Sequence, residues 1–186
     1  GTVADSEPFI KLMKTALERD VRLYSVHEGM KVSPDEDTAL TFLWPEIRSK
    51  VEEVLPVVEE QNHESVAFLL SMNGCSFLFT GDMDKEAEEV IMERYPQNTA
   101  LAYPQVDVLK AAHHGSKTSS SDSWIKYWGP TTTVISAGVN NSYGHPSPEV
   151  LKRLAADSIQ ILRTDQQGEI QMKVNEGVIL MRYKLK

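Results

Sequence analysis

The feature that most constrains this chain is a pair of apolar runs separated by a tight turn. Ser65–Ser71 and Cys75–Thr80 flank Asn73-Gly74. Asn-Gly supplies the left-handed backbone that a two-residue hairpin turn requires, so the runs are predicted to be antiparallel neighbours. The second run ends in Thr80-Gly81-Asp82, and a helix is predicted over Asp84–Tyr95. Ala87, Val90, Ile91 and Tyr95 share its apolar face, and Pro96 is its stop. A further strand-like run from Val106 to Ala112 follows and halts at His113-His114-Gly115-Ser116. A hairpin followed by a helix and another strand commits the chain to a mixed α/β layout.

The flanking segments extend that pattern. Asp5-Ser6 with Pro8 opens a predicted helix that runs through about Arg19. Val21–Val26 and Ala39–Leu43 read as strands, the latter ending at Trp44-Pro45. Glu46–Glu60 has helical spacing, with Pro56 breaking or kinking it. Beyond the histidine pair, a short helix is expected around Trp124–Trp128 and a strand at Thr131–Ser136. A helix starts at Ser147-Pro148-Glu149 and runs to about Ala156. Three strands close the chain: Gln160–Arg163, Glu169–Val174 and Val178–Tyr183, with turns at Gln166–Gly168 and Asn175–Gly177. Antiparallel pairing is expected to dominate both ends.

Composition narrows the function classes. The chain has 186 residues, 41% of them hydrophobic and 25% charged, as in an ordinary globular protein with a real core. The net charge of −8 gives no general attraction to nucleic acid phosphates, although a bound divalent cation reverses the sign locally. Cys75 is the lone cysteine, which excludes an intramolecular disulfide and a cysteine-rich zinc site. No apolar run approaches the length of a membrane span.

Polar groups collect where strands begin or end. They are Asn62–Ser65, Asp82, His113/His114 and His145. Sheets aim side chains at their strand ends into a crevice, and imidazole and carboxylate are metal ligands and acid–base groups. Four motifs occur in order: Asn62-His63-Glu64-Ser65, Thr80-Gly81-Asp82, His113-His114-Gly115-Ser116 and Asn141-Ser142-Tyr143-Gly144-His145-Pro146. With Arg163-Thr164-Asp165 and Gly168, this set resembles the metallo-β-lactamase fold superfamily. It is most similar to the hydrolase domain of ComEC-type DNA-uptake proteins, over about residues 38–174.

That resemblance implies an αββα sandwich, incomplete at the N-terminus, with residues 1–186 forming the C-terminal part of one hydrolase domain. It implies a metal-dependent hydrolase acting on a phosphodiester such as DNA. Asp82 and His114 are the implied metal ligands. His113 would face the scissile phosphate, and His145 would contact phosphate or donate a proton. Two zinc or manganese ions are implied for the complete domain, in a secreted or membrane-associated extracytoplasmic setting. The family's His-x-His-x-Asp-His signature is not in this sequence. A catalytic zinc usually has three protein ligands, so the competing expectation is a non-catalytic binding or assembly module that keeps the fold.

Each residue also has a plainer reading. Asp82 could cap the helix beginning near Asp84, His145 could be a turn residue beside Pro146, and the histidine pair could be solvated. His63 reads as a surface or supporting residue. Ser116–Ser121 lacks a Gly-x-Ser-x-Gly elbow and reads as a flexible loop. Trp44, Trp124 and Trp128 read as core or rim. If strands of a facing sheet are missing, Ser65–Ser71 or Ala39–Leu43 should be left unpaired. The chain should then pair with another copy or with the missing segment.

Overall fold

The computed structural model describes residues 6–47, 61–97 and 105–184. Helix α1 (Glu7–Glu18) opens the fold. Strands β1 (Lys31–Asp35), β2 (Thr38–Trp44), β3 (Ala67–Met72) and β4 (Cys75–Phe79) follow as an antiparallel meander. The β3–β4 turn is the expected one, with Asn73 at φ +48° and Gly74 at φ +80°. From β4 onward the pairing becomes parallel, through β5 (Val108–Lys110), β6 (Thr132–Ile135) and β7 (Gln160–Arg163). Parallel neighbours need crossovers. Helices α2 (Lys85–Arg94), α3 (Asp122–Trp128) and α4 (Pro148–Ala156) stand between those strands in sequence. The result is one seven-stranded sheet whose spatial order equals its chain order. A one-turn helix α5 (Thr164–Gln167) then leads to the hairpin β8 (Ile170–Asn175) and β9 (Val178–Tyr183), a separate two-stranded sheet.

Period-two alternation assigns the two faces of the large sheet. Leu69, Leu78 and Leu109 join Ala87 and Ile91 of α2 and Trp124 and Trp128 of α3. Cys75, Phe77 and Val108 point the other way and pack with Met172, Val174 and Ile179 of the β8–β9 hairpin. Helices therefore cover one face, and a small sheet lies against part of the other. Trp44, Trp124 and Trp128 are all fully or almost fully buried core residues. Each such side chain stabilises the fold by roughly 1.5–3 kcal/mol.

Several expectations need correction. Residues 21–27 form no strand; Val21, Leu23 and Tyr24 are exposed, and no strand among the described residues pairs with them. The sequence also hides β1, because Lys31-Val32-Ser33-Pro34-Asp35 carries a proline, which only an edge strand tolerates. β1 is such an edge. β2 and β3 are not left unpaired: each has strands on both sides, and the edges of the large sheet are β1 and β7. The predicted 46–60 helix lies outside the described residues beyond Ile47. The turn expected at 166–168 is preceded by α5, whose Thr164 Oγ1 donates to the Ala137 carbonyl and accepts from the Ala137 amide.

Candidate functional site

The parallel strands end together, and the loops after β4, β5 and β6 carry the predicted polar groups. Asp84, not Asp82, caps α2: its carboxylate accepts from the Ala87 amide at 2.9 Å. Asp82 is thereby released from the capping role. Its own amide donates to Ser65 Oγ at 3.1 Å, which ties the Asn62–Ser65 motif to the Thr80–Asp82 motif.

The histidine pair sits in an unusual turn. His113 (φ +47°), His114 (φ +55°) and Gly115 (φ +80°) are consecutive left-handed residues. Glycine adopts this backbone freely, whereas each histidine costs about 1–2 kcal/mol there. Such strain persists where surrounding contacts hold it, and it concentrates at functional sites. Here the His113 amide donates to the Gly81 carbonyl (3.1 Å), and the Ser116 amide to the His113 carbonyl (2.9 Å). The Ser147 amide donates to the Gly115 carbonyl (2.9 Å), which binds the His-His-Gly turn to the Tyr-Gly-His-Pro segment.

This arrangement brings the four side chains together. His114 Nε2 lies 3.7 Å from Asp82 Oδ1. The His113 ring centroid is 6.4 Å from that of His114 and 5.7 Å from that of His145. Tyr143 stacks on His145 at 6.0 Å. Asn141 staples the last loop, its amide nitrogen donating to the His145 carbonyl (2.6 Å) and its oxygen accepting from the His145 amide (3.0 Å). Burial pushes the His145 pKa down, the neighbouring His113 and His114 add to this, and Asp82 opposes it. Among the described residues, His145 Nδ1 is a buried nitrogen with no hydrogen-bond partner.

The donor chemistry fits a divalent cation. His114 Nδ1 lies 2.7 Å from the Ser136 carbonyl, which can only accept, so Nδ1 carries the proton. The lone pair of neutral His114 is then on Nε2, the atom that faces Asp82. A metal-ligating histidine commonly donates its other ring N–H to a backbone carbonyl, as Nδ1 is placed to do here, and leaves Nε2 to the cation. The two side chains remain about 48% and 38% exposed, so the position is open to solvent. Two donors fall short of three. Among the described residues, a three-donor cluster occurs elsewhere, at His63, Asp84 and Glu86. There His63 Nδ1 pairs with the Asp84 carboxylate at 3.0 Å, and the His63 ring meets Trp44 edge-on.

Sequence reasoning missed the residues that hold these loops. Ser116–Ser121 is not a flexible loop: Ser119 and Ser120 are buried. Buried Glu88 of α2 accepts from the Ser120 and Ser121 amides at 2.5 and 2.9 Å, and burial raises its pKa. Arg153 of α4 donates to the Ser119 and Ser120 carbonyls at 3.3 and 2.8 Å. Both look like solvated helix charges in the sequence. Lys110 is the one with a visible signal, a lysine inside an apolar strand.

Comparison with known proteins identifies the family. The family model described as the metallo-beta-lactamase superfamily matches residues 47–139, half of the chain. The chain belongs to the metallo-beta-lactamase superfamily. It is 36% identical over 168 residues to ComE operon protein 3 of Bacillus subtilis (strain 168), covering 90% of this chain and 20% of that protein. It is 37% identical over 118 residues to competence protein ComA of Neisseria gonorrhoeae, covering 63% and 16% respectively. Recombination protein 2 of Haemophilus influenzae is 28% identical over 116 residues, covering 62% of this chain and 14% of that protein. The chain thus spans a fifth or less of the length of each of these relatives. No helix among the described residues is long and apolar enough to cross a membrane.

Proposed function

We propose that this chain forms part of a metal-dependent phosphodiesterase, with DNA as its substrate class. One observation carries the proposal: the contact of His114 Nδ1 with the Ser136 carbonyl turns Nε2 toward Asp82, 3.7 Å away. Asp82 and His114 would hold a divalent ion such as zinc or manganese, with further donors completing the set. When bound, that ion supplies Lewis-acid activation and local positive charge for a phosphate on a chain whose net charge is −8. His113 and His145 line the space beside it, 5.7 Å apart. Burial lowers the His145 pKa, and a neutral imidazole presents one N–H donor and one acceptor, which suits contact with a phosphate oxygen. The His113 ring neighbours those of both His145 and His114, and His113 would face the scissile group. Relatives named for competence and recombination favour DNA over a small phosphodiester.

The competing proposal is a non-catalytic module of the same fold. The two-donor count at Asp82 and His114 favours it. Hydrolysis of bis(p-nitrophenyl) phosphate and of DNA with manganese, by the wild type and by Asp82→Asn, separates the two. The enzyme reading expects turnover that Asp82→Asn lowers at least about a hundred-fold, a loss within the range of removing a group that stabilises developing charge. Turnover at equal rates in both proteins would overturn the role of Asp82 and leave the binding module standing.

A further inference from the structure

Lys110 is a charged residue in an apolar strand. Its stem lines the cleft between the large sheet and the β8–β9 hairpin, beside Leu70, Phe79, Val134 and Met172. Methionine would fill that space without the cost of burying an ammonium group. The head group lies against the candidate site: Nζ donates to the Ala111 carbonyl at 2.9 Å and to the Gly81 carbonyl at 3.3 Å. Gly81 immediately precedes Asp82, and its carbonyl also accepts from the His113 amide at 3.1 Å. The Lys110 carbonyl in turn accepts from Thr80 Oγ1 at 2.8 Å. One carbonyl oxygen therefore joins the turn that carries Asp82, the turn that carries the histidine pair, and the half-buried Lys110 side chain.

We infer that Lys110 is the positioning residue of this site. Its ammonium group clamps the Gly81 carbonyl, so the Asp82 turn and the His113–His114 turn keep one relative geometry before any ion binds. The left-handed histidines need such a clamp, because their strain would otherwise be released by unwinding the turn. A cation makes a firm clamp, because charge-assisted hydrogen bonds are roughly twice as strong as neutral ones. The role is support of the donors from behind. The Lys110 ammonium is engaged by the backbone carbonyls of Gly81 and Ala111.

The inference rests on the proposed metal reading for its consequence, but not for its geometry, and two measurements keep these apart. Lys110→Met retains the packing and removes the clamp; Lys110→Arg restores a cation able to reach two carbonyls. Manganese titration by calorimetry and amide hydrogen exchange at His113 are recorded for the wild type and both variants of the 186-residue chain. Lys110→Met should bind manganese roughly ten- to a hundred-fold more weakly, the usual effect of removing a group that orients a ligand. It should also lose protection of the His113 amide, and Lys110→Arg should recover both. Should Lys110→Met fold poorly, Lys110→Gln replaces it, since its amide keeps a polar head without the charge. Unchanged affinity and unchanged His113 exchange in the uncharged variant would overturn the inference and make Lys110 a packing residue. A wild type that takes up no manganese counts against the metal reading alone, and His113 exchange then decides the clamp by itself.

Discussion

Gly115→Ala should disconnect two of the motifs. A Cβ at Gly115 would lie 2.7 Å from Pro146 Cβ, 3.2 Å from Pro146 Cα and 3.3 Å from Ile135 Cγ2. Ile135 is fully buried and Pro146 is buried against it, so neither neighbour is the free end of a flexible side chain. The backbone adds a second penalty, because Gly115 has φ +80°. Left-handed strain costs about 1–2 kcal/mol and overpacking roughly 1–3 kcal/mol, so a loss of about 2–5 kcal/mol is expected. Against a typical stability of about 5–15 kcal/mol this is a large fraction. Urea unfolding should show a midpoint lowered by about 1–2 M at unchanged slope. Gly144→Ala is the matched control: Gly144 has φ +69° but nothing within 4 Å of the added atom, so only the backbone strain remains. The pair isolates the Pro146 contact. A Gly115→Ala midpoint equal to that of Gly144→Ala would refute the close packing of the His-His-Gly turn on the His-Pro segment.

Other consequences are open to simpler tests. Glu88→Ala leaves the buried Ser120 amide and the half-buried Ser121 amide without their acceptor, so it should cost about 2–5 kcal/mol in urea unfolding and expose the 116–121 loop to proteolysis. The hydrogen bonds from Arg163 hold the Asp165 carboxyl below its usual pKa. A depressed folded pKa gives stability that is present above the unfolded value of about 3.9 and lost as pH falls through the folded value. The stability gap between wild type and Asp165→Asn should therefore be constant from about pH 5 to 7 and close below about pH 4. Val178, Leu180, Met181 and Tyr183 of β9 are exposed on a strand paired, among the described residues, with β8 alone. Apolar exposed edges favour association, so sedimentation velocity at micromolar concentration should show a dimer, and Leu180→Lys should shift it to monomer.

Much of the fold was legible because its signals are local. Asn73-Gly74 turned the β3–β4 hairpin, Ser147-Pro148-Glu149 started α4, and Gly129 closed α3 in a left-handed cap. Val21–Val26 misled because β-branched residues announce a strand whether or not a neighbour exists, and this segment has no partner strand among the described residues. β1 stayed hidden behind Pro34 for the opposite reason, since its pairing with β2 outweighs a poor local pattern. At the site, the motif order named Asp82, His113, His114 and His145. The supporting groups were not legible. Nothing in the spacing of α2 shows that Glu88 points inward at a loop 32 residues away, or that Asp84 rather than Asp82 takes the cap. Those assignments are settled by tertiary packing, which no local pattern records.

The most direct test is to locate the ion. Crystals of the chain soaked in zinc, with anomalous differences collected at the zinc edge, give its position without reference to activity. The expected peak lies about 2.0–2.2 Å from both His114 Nε2 and an Asp82 carboxylate oxygen, and it is absent from His114→Ala crystals treated identically. A peak on His63, Asp84 and Glu86 with none between Asp82 and His114 would contradict the assignment of the site.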